Sequence, residues 1–272
     1  HGPRGSFLGR LIVPVSQLTA LAQCWEALPP GHREIPWRVS ALLPAIDTES
    51  TSAWEAALGA LKAFDRRSGN SPSRLFVDTW ELPCSSPDGI EWMAARIPDR
   101  ARCFVEVPLD QSTPELLLAL KGAQRLNAKV RTGGVTAVQI PSPEALLDFL
   151  QRTARLDLAF KATAGLHHPL PAIRPLTYEP NAPQGPMHGF LNVMLATAFA
   201  RRHPNQDAEL LTLLSDPDPS SFGLAESCLT WRGRTFDDQE LRSLRRTAFL
   251  SLGSCSFDEP LADLCALGWL ET

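Results

Sequence analysis

Two lysines stand where lysine is costly to place. Of 26 Lys and Arg residues only Lys62, Lys121, Lys129 and Lys161 are lysines, and the last two fall inside short apolar runs, AKVRT and LAFKATA, each followed within a few residues by glycine. A lysine on a buried strand must be paired or made neutral. If the two strands are neighbours and the side chains share a face, desolvation and the second cation both favour the nucleophilic amine. Such an amine adds to an aldehyde or ketone to give a Schiff base. The structural alternative is an ion pair with Glu106 or Asp78, and a third role is non-catalytic substrate binding.

Asp78 and Glu106 interrupt the apolar runs RLFVDTW and RCFVEV, and Glu81 follows the first of these. Buried carboxylates need partners, and Lys129, Lys161 and Arg131 are the natural ones. A glutamate beside two lysines is placed for proton transfer, or for a structural network. Three glycine-bearing turns follow apolar runs: Arg131-Thr132-Gly133-Gly134, Thr163-Ala164-Gly165 and Gly253-Ser254. Glycine lets backbone N–H groups approach an anion, and Thr, Ser and Arg add donors, so phosphate or carboxylate fits there. The same glycines also serve tight strand-to-helix turns with no ligand. His167 and His168 are adjacent, and His188 follows about twenty residues later. They suit general acid–base work. With Glu106, Asp78 or Cys255 they also suit a divalent metal such as Zn²⁺ or Fe²⁺, although no HExxH or HxH spacing is present. Placed in an exposed turn, they need do neither.

Elements that position these residues are read from apolar periodicity. Strands are expected at 9–15, 37–43, 74–80, 102–107, 128–132 and 158–164, with helices at 17–28, 47–67, 89–96, 113–126 and 143–154 between them. Ser16 and Ser142 are expected caps. The strands are short and apolar throughout, as strands covered on both faces are, and sustained alternation implies a parallel sheet with helices outside it. No GxGxxG follows the first strand, and polar residues recur at the ends of successive strands. Both features favour a barrel over a doubly wound sheet. The rhythm breaks after His168. Residues 169–186 read as a proline-rich loop, 188–202 as a buried helix, 207–214 as a helix, 229–236 as a hairpin around Gly233, 238–246 as a polar helix, 249–256 as the last strand closing near the first, and 258–269 as the final helix. The expected fold is therefore a single α/β domain over 1–272, a distorted (β/α)8 TIM-like barrel, with 169–247 an insertion-rich part and 1–6 a tag remnant or disordered start.

Composition narrows the partners. Of 272 residues, 44% are hydrophobic and 21% charged, which is globular usage. The formal charge of −4 argues against a general polyanion surface, so no nucleic acid is expected. Six cysteines without a CxxC pair read as reduced thiols of a cytoplasmic protein, and no apolar run is long enough to span a membrane. A small-molecule substrate is the expected partner, no cofactor is required unless a divalent metal is used, and an oligomer is compatible.

The stretches KVRTGG, FKATAGLHHP, MHGFLNV and SLGSCSFDEP resemble a group of uncharacterised bacterial barrel proteins over the C-terminal half. A second likeness, over about forty residues, is to class I aldolases of the deoxyribose-phosphate type, which carry one lysine in a K-x-x-T-G stretch and another in a K-A-x-x-G stretch on the next strand. Lys129-Val130-Arg131-Thr132-Gly133 and Lys161-Ala162-Thr163-Ala164-Gly165 match these patterns. The resemblance implies a Schiff base on Lys129, with Lys161 activating it, or the roles exchanged, and phosphate near the later glycine turns. The family's double glycine after the second lysine is missing here, and 169–247 departs from it. The leading expectation is lysine-assisted aldol, lyase or isomerase chemistry on a carbonyl compound bearing phosphate or carboxylate. Glu106 or Asp78 would move protons, Arg131 would bind the anion, and His167 or His168 would assist. The alternatives are a metal-dependent hydrolase or lyase using His167, His168 and His188, and a non-catalytic binding barrel.

Overall fold

The computed structural model describes residues 7–33, 35–46, 51–68 and 75–271. The expected tag or disordered start at 1–6, the first residues of the helix expected from 47, and a turn expected from the sequence at 69–72 lie outside them. The chain divides into two compact units, one of residues 1–106 and 122–127, the other of residues 107–121 and 128–272.

The first unit alternates strand and helix as its apolar spacing dictates: β1 Leu11–Pro14, α1 Leu18–Ala27, β2 Trp37–Leu42, α2 Ser52–Ser68, β3 Leu75–Pro83, α3 Pro87–Ala94 and β4 Arg102–Glu106. Ser16 does not cap α1. It lies in a 3₁₀ turn, Val15–Gln17, that leads into the helix with no side-chain cap bond. α1 buries Leu18, Ala22 and Trp25 at the expected spacing. Trp54 of α2 meets Trp80 of β3 and Trp92 of α3 edge to face, with ring centroids 6.1 and 5.5 Å apart. Such pairs add about 0.5–1.5 kcal/mol each to the burial of their area. β3 runs beyond its expected end. Glu81 is therefore an interior strand residue with no exposed surface, accepting a hydrogen bond from Ser40 Oγ at 2.5 Å.

α4 Thr113–Gly122 and β5 Leu126–Arg131 lie mostly in the second unit; α5 Pro143–Arg155 and β6 Phe160–Thr163 follow. Ser142 caps α5 as expected, accepting from Ala145 N. Phe149 of α5 meets Phe160 edge to face, and Phe160 lies tilted against Phe249, with ring centroids 5.3 and 5.2 Å apart. The segment read as a proline-rich loop is instead an antiparallel hairpin, β7 Ala172–Pro175 and β8 Gln184–Met187. Prolines at 171, 175, 183 and 186 hid its period, because proline is tolerated at the ends and edges of strands. α6 Phe190–Arg202 is buried on nearly all sides, packed on α5 and on α7 Asp207–Ser215. The predicted hairpin gains a third strand: β9 Phe222–Ala225, β10 Cys228–Trp231 and β11 Arg234–Asp237 form an antiparallel sheet. α8 Asp238–Thr247, β12 Phe249–Gly253 and α9 Asp258–Ala266 complete the unit.

The principal sheet is parallel and seven-stranded in the order β1-β2-β3-β4-β5-β6-β12. Strands follow chain order until the last, and small antiparallel sheets are inserted before it. The result is an α/β fold of distorted, TIM-barrel-like topology, as the alternation predicts. It has seven strands in place of eight, and β12 joins the sheet beside β6 rather than beside β1. The region that would supply a further parallel strand goes into the hairpin, α6, α7 and the three-stranded sheet.

Candidate active site

Lys129 and Lys161 are direct partners in the β5–β6 register. Residue alternation fixes their common face. Phe160 and its register partner Ala128 sit on the side covered by Phe149 of α5, so Lys129 and Lys161 point to the opposite face. Both are buried, at 6% and 3% exposure. Ser251 of β12 extends the row beside Lys161. The strands place both lysines as the sequence required, and each interacts with its surroundings.

The glycine turns bring β5 and β6 together. A Cβ on Gly133 would lie 2.7 Å from Gly165 Cα, and Gly165 has φ +71°. Thr132 Oγ donates to the carbonyl oxygens of Ala164 at 2.5 Å and Thr163 at 3.1 Å. In the same loop Gln139 Oε1 accepts from the backbone N–H groups of Val135 and Thr136, and a Cβ at Gly134 would strike the Gln139 side chain. Thr132, Gly133, Gly134 and Gly165 thus serve close backbone packing and loop closure. Ser254 Oγ is similarly used, accepting from Ser256 N. Gly253 pairs with Thr163 in the sheet register, and Arg131 is exposed at the end of β5.

Asp78 is held in an ion pair. Arg10 donates to it from Nε and Nη2 at 2.6 and 2.8 Å, and Thr79 Oγ adds a bond at 2.9 Å. Burial raises the Asp78 carboxyl, but these donors outweigh burial and hold it below its ordinary value. It is a structural ion pair of the first unit. Glu106 is half-buried at the end of β4.

His188 is also structural. Its ring is buried, and Nε2 donates to the Pro141 carbonyl at 2.9 Å. Desolvation lowers its pKa and keeps it neutral. Among the described residues no three His, Cys, Asp or Glu side chains are arranged to hold a metal.

His167 and His168 do have chemistry, with partners that the sequence reading missed. His167 Nδ1 lies 2.7 Å from Glu259 Oε2, and His168 Nδ1 lies 2.6 Å from Asp263 Oδ2. Glu259 and Asp263 are one helical turn apart on α9, so a single face of the helix orients both imidazoles. Tyr178, from the β7–β8 hairpin, donates to Glu259 at 3.0 Å. Partial burial pushes the Glu259 carboxyl up, but the bonds from His167 and Tyr178 and the charge of both histidines prevail, leaving it below its ordinary value. Burial, Cys255 and Glu259 push the Tyr178 phenol up to about 12, so it keeps its proton. Cys255, exposed in the β12–α9 turn, has its sulfur 3.3 Å from His167 Nε2 and 3.9 Å from Nδ1.

The fold and these residues define an α/β protein of TIM-barrel-like topology, with buried amines on β5 and β6 and a histidine–carboxylate group at the end of β6. No protein-family model, curated protein or solved structure matches the chain. Among the described residues no helix is long and apolar enough to cross a membrane.

Proposed function

We propose that this chain is a small-molecule enzyme acting on a carbonyl compound that bears phosphate or carboxylate, through an imine on Lys129 or Lys161, in aldol, lyase or isomerase chemistry. The observation that carries the reading is the register pair: two buried lysines directly opposed on adjacent parallel strands. Parallel barrels place their sites at the carboxyl ends of the strands, and His167 and His168 follow β6 at that end. The local likeness to class I aldolases supports the same assignment of the two lysines. Arg131, exposed where β5 ends, is the residue suited to the substrate anion. His167 or His168, each held by a carboxylate, would pass protons to and from the carbon that reacts.

Borohydride reduction in the presence of aldehydes, keto acids and sugar phosphates tests the reading. Peptide mapping is expected to find a reduced adduct on Lys129 or Lys161 that disappears in the matching alanine variant. A broad panel with no adduct on either lysine overturns it.

A further inference from the structure

Among the described residues, Cys255 is the one cysteine set against an oriented imidazole. Its neighbour His167 is buried, and a carboxylate on Nδ1 fixes the ring. With the Nδ1 proton shared with Glu259, Nε2 is left as an acceptor, and it is the ring nitrogen nearest the sulfur, at 3.3 Å. Sulfur, imidazole and carboxylate come from three places in the chain: the β12–α9 turn, the segment after β6, and α9. Packing must therefore be what assembles them. The sulfur, also 3.9 Å from Nδ1, rests against the ring face. Cys255 is exposed, and proton transfer requires a turn about its Cα–Cβ bond that aligns the sulfur with Nε2. Tyr178 Oη lies 3.8 Å from the same sulfur and donates to Glu259 Oε2, the oxygen that also meets His167. The remaining cysteines differ. Cys103 and Cys84 are buried, and desolvation pushes both thiols up. Cys24 is exposed with no imidazole at hydrogen-bond distance among the described contacts.

We infer that Cys255, His167 and Glu259 form a thiol nucleophile, general base and orienting carboxylate that accept an acyl group from an ester or thioester. This activity uses neither lysine; it shares with the lysine reading only the His167 imidazole. In acylation the sulfur bonds to the acyl carbon while its proton passes to His167 Nε2. The bond from that carbon to the leaving oxygen or sulfur breaks, and the leaving group takes the proton from Nε2. In deacylation a water gives a proton to Nε2 and its oxygen bonds to the acyl carbon. The C–S bond then breaks and the sulfur recovers the proton. The sum is ester plus water to acid plus alcohol, with no oxidant or reductant. Glu259 is a positioning residue: it holds the ring and balances the imidazolium that forms between the two transfers.

p-Nitrophenyl acetate is a direct probe. Mixed with the whole chain, it is expected to release a stoichiometric burst of p-nitrophenol and to leave an acetyl group on Cys255, found by peptide mapping, which water then removes. Cys255→Ala should abolish the burst. His167→Gln should slow acylation of Cys255 by roughly 10²-fold, and Glu259→Gln should slow it less. Cys24 serves as an internal reference, exposed but without the imidazole. Acetylation of Cys24 as fast as Cys255, or an unchanged Cys255 rate in both His167→Gln and Glu259→Gln, overturns the inference. Keto acid and borohydride applied to Cys255→Ala still report on Lys129 and Lys161, so failure of one reading is distinguishable from failure of the other.

Discussion

Gly133 and Gly165 meet backbone to backbone, so closely that a Cβ on Gly133 would stand 2.7 Å from Gly165 Cα. The contact locks the end of β5 to the end of β6, just beyond the lysine pair. Gly133→Ala must displace main chain, and overpacking of this kind costs about 1–3 kcal/mol. Gly122→Ala, at the end of α4 with nothing within 4 Å of the added Cβ, is the control and should leave stability nearly unchanged. Denaturant melts of the two variants check the contrast.

Asp216 is the polar centre of the inserted region. Its carboxylate accepts from Trp231 Nε1 and Arg232 Nε, both at 2.9 Å, and Asn192 donates to its carbonyl oxygen. The Asp216 side chain is only 2% exposed, and Trp231 is fully covered. Asp216→Ala leaves the buried indole N–H without its acceptor, at a cost of about 1–3 kcal/mol, while Arg232, half exposed, turns to water. The expected outcome is a lower unfolding midpoint. Asp216→Asn, which retains an acceptor, should lose less.

His188 should make the protein less stable in mild acid. Burial lowers its folded pKa from the ordinary 6.5, so below that value the unfolded chain binds a proton the native ring refuses. Stability contributed by neutral His188 is present above the ordinary value and is lost as pH falls through the window below it. Thermal unfolding from pH 8 to pH 5 checks this: the wild type should fall more steeply than His188→Gln.

Glu259 acts in a lower window. Its folded pKa lies below the ordinary 4.5 because of His167, Tyr178 and His168, which outweigh partial burial. A depressed carboxylate contributes stability that is fully present above the unfolded value and lost as pH falls through the folded one. Glu259→Gln should therefore show a shallower loss below pH 4.5. Imidazole NMR signals of His167 should shift in the same variant while those of His188 stay in place.

The fold was legible because its signal is local. Short apolar runs alternating with amphipathic helices announce a parallel sheet, and α5 with its Ser142 cap could be drawn almost to the residue. Lys129 and Lys161 were legible for the same reason, as charges on apolar strands. Glu259 and Asp263 were not. They read as ordinary acidic residues at the start of an exposed helix, and their histidine partners lie 92 and 95 residues away. The glycines were visible, but the sequence could not say that each is small for the sake of the other. The partner of Asp78 was hidden in the same way: Arg10 lies just before β1, 68 residues earlier.

The place of β12 has a consequence for how the chain assembles. Its register partner β6 ends at Thr163, yet β12 begins only at Phe249. During synthesis β6 presents an open edge while the hairpin, α6, α7 and the three-stranded sheet are still being made, and open edges recruit wrong partners. Pairing across so long a loop is slow. The same late step brings α9 to His167 and His168, so the histidine–carboxylate pairs are among the last contacts to form.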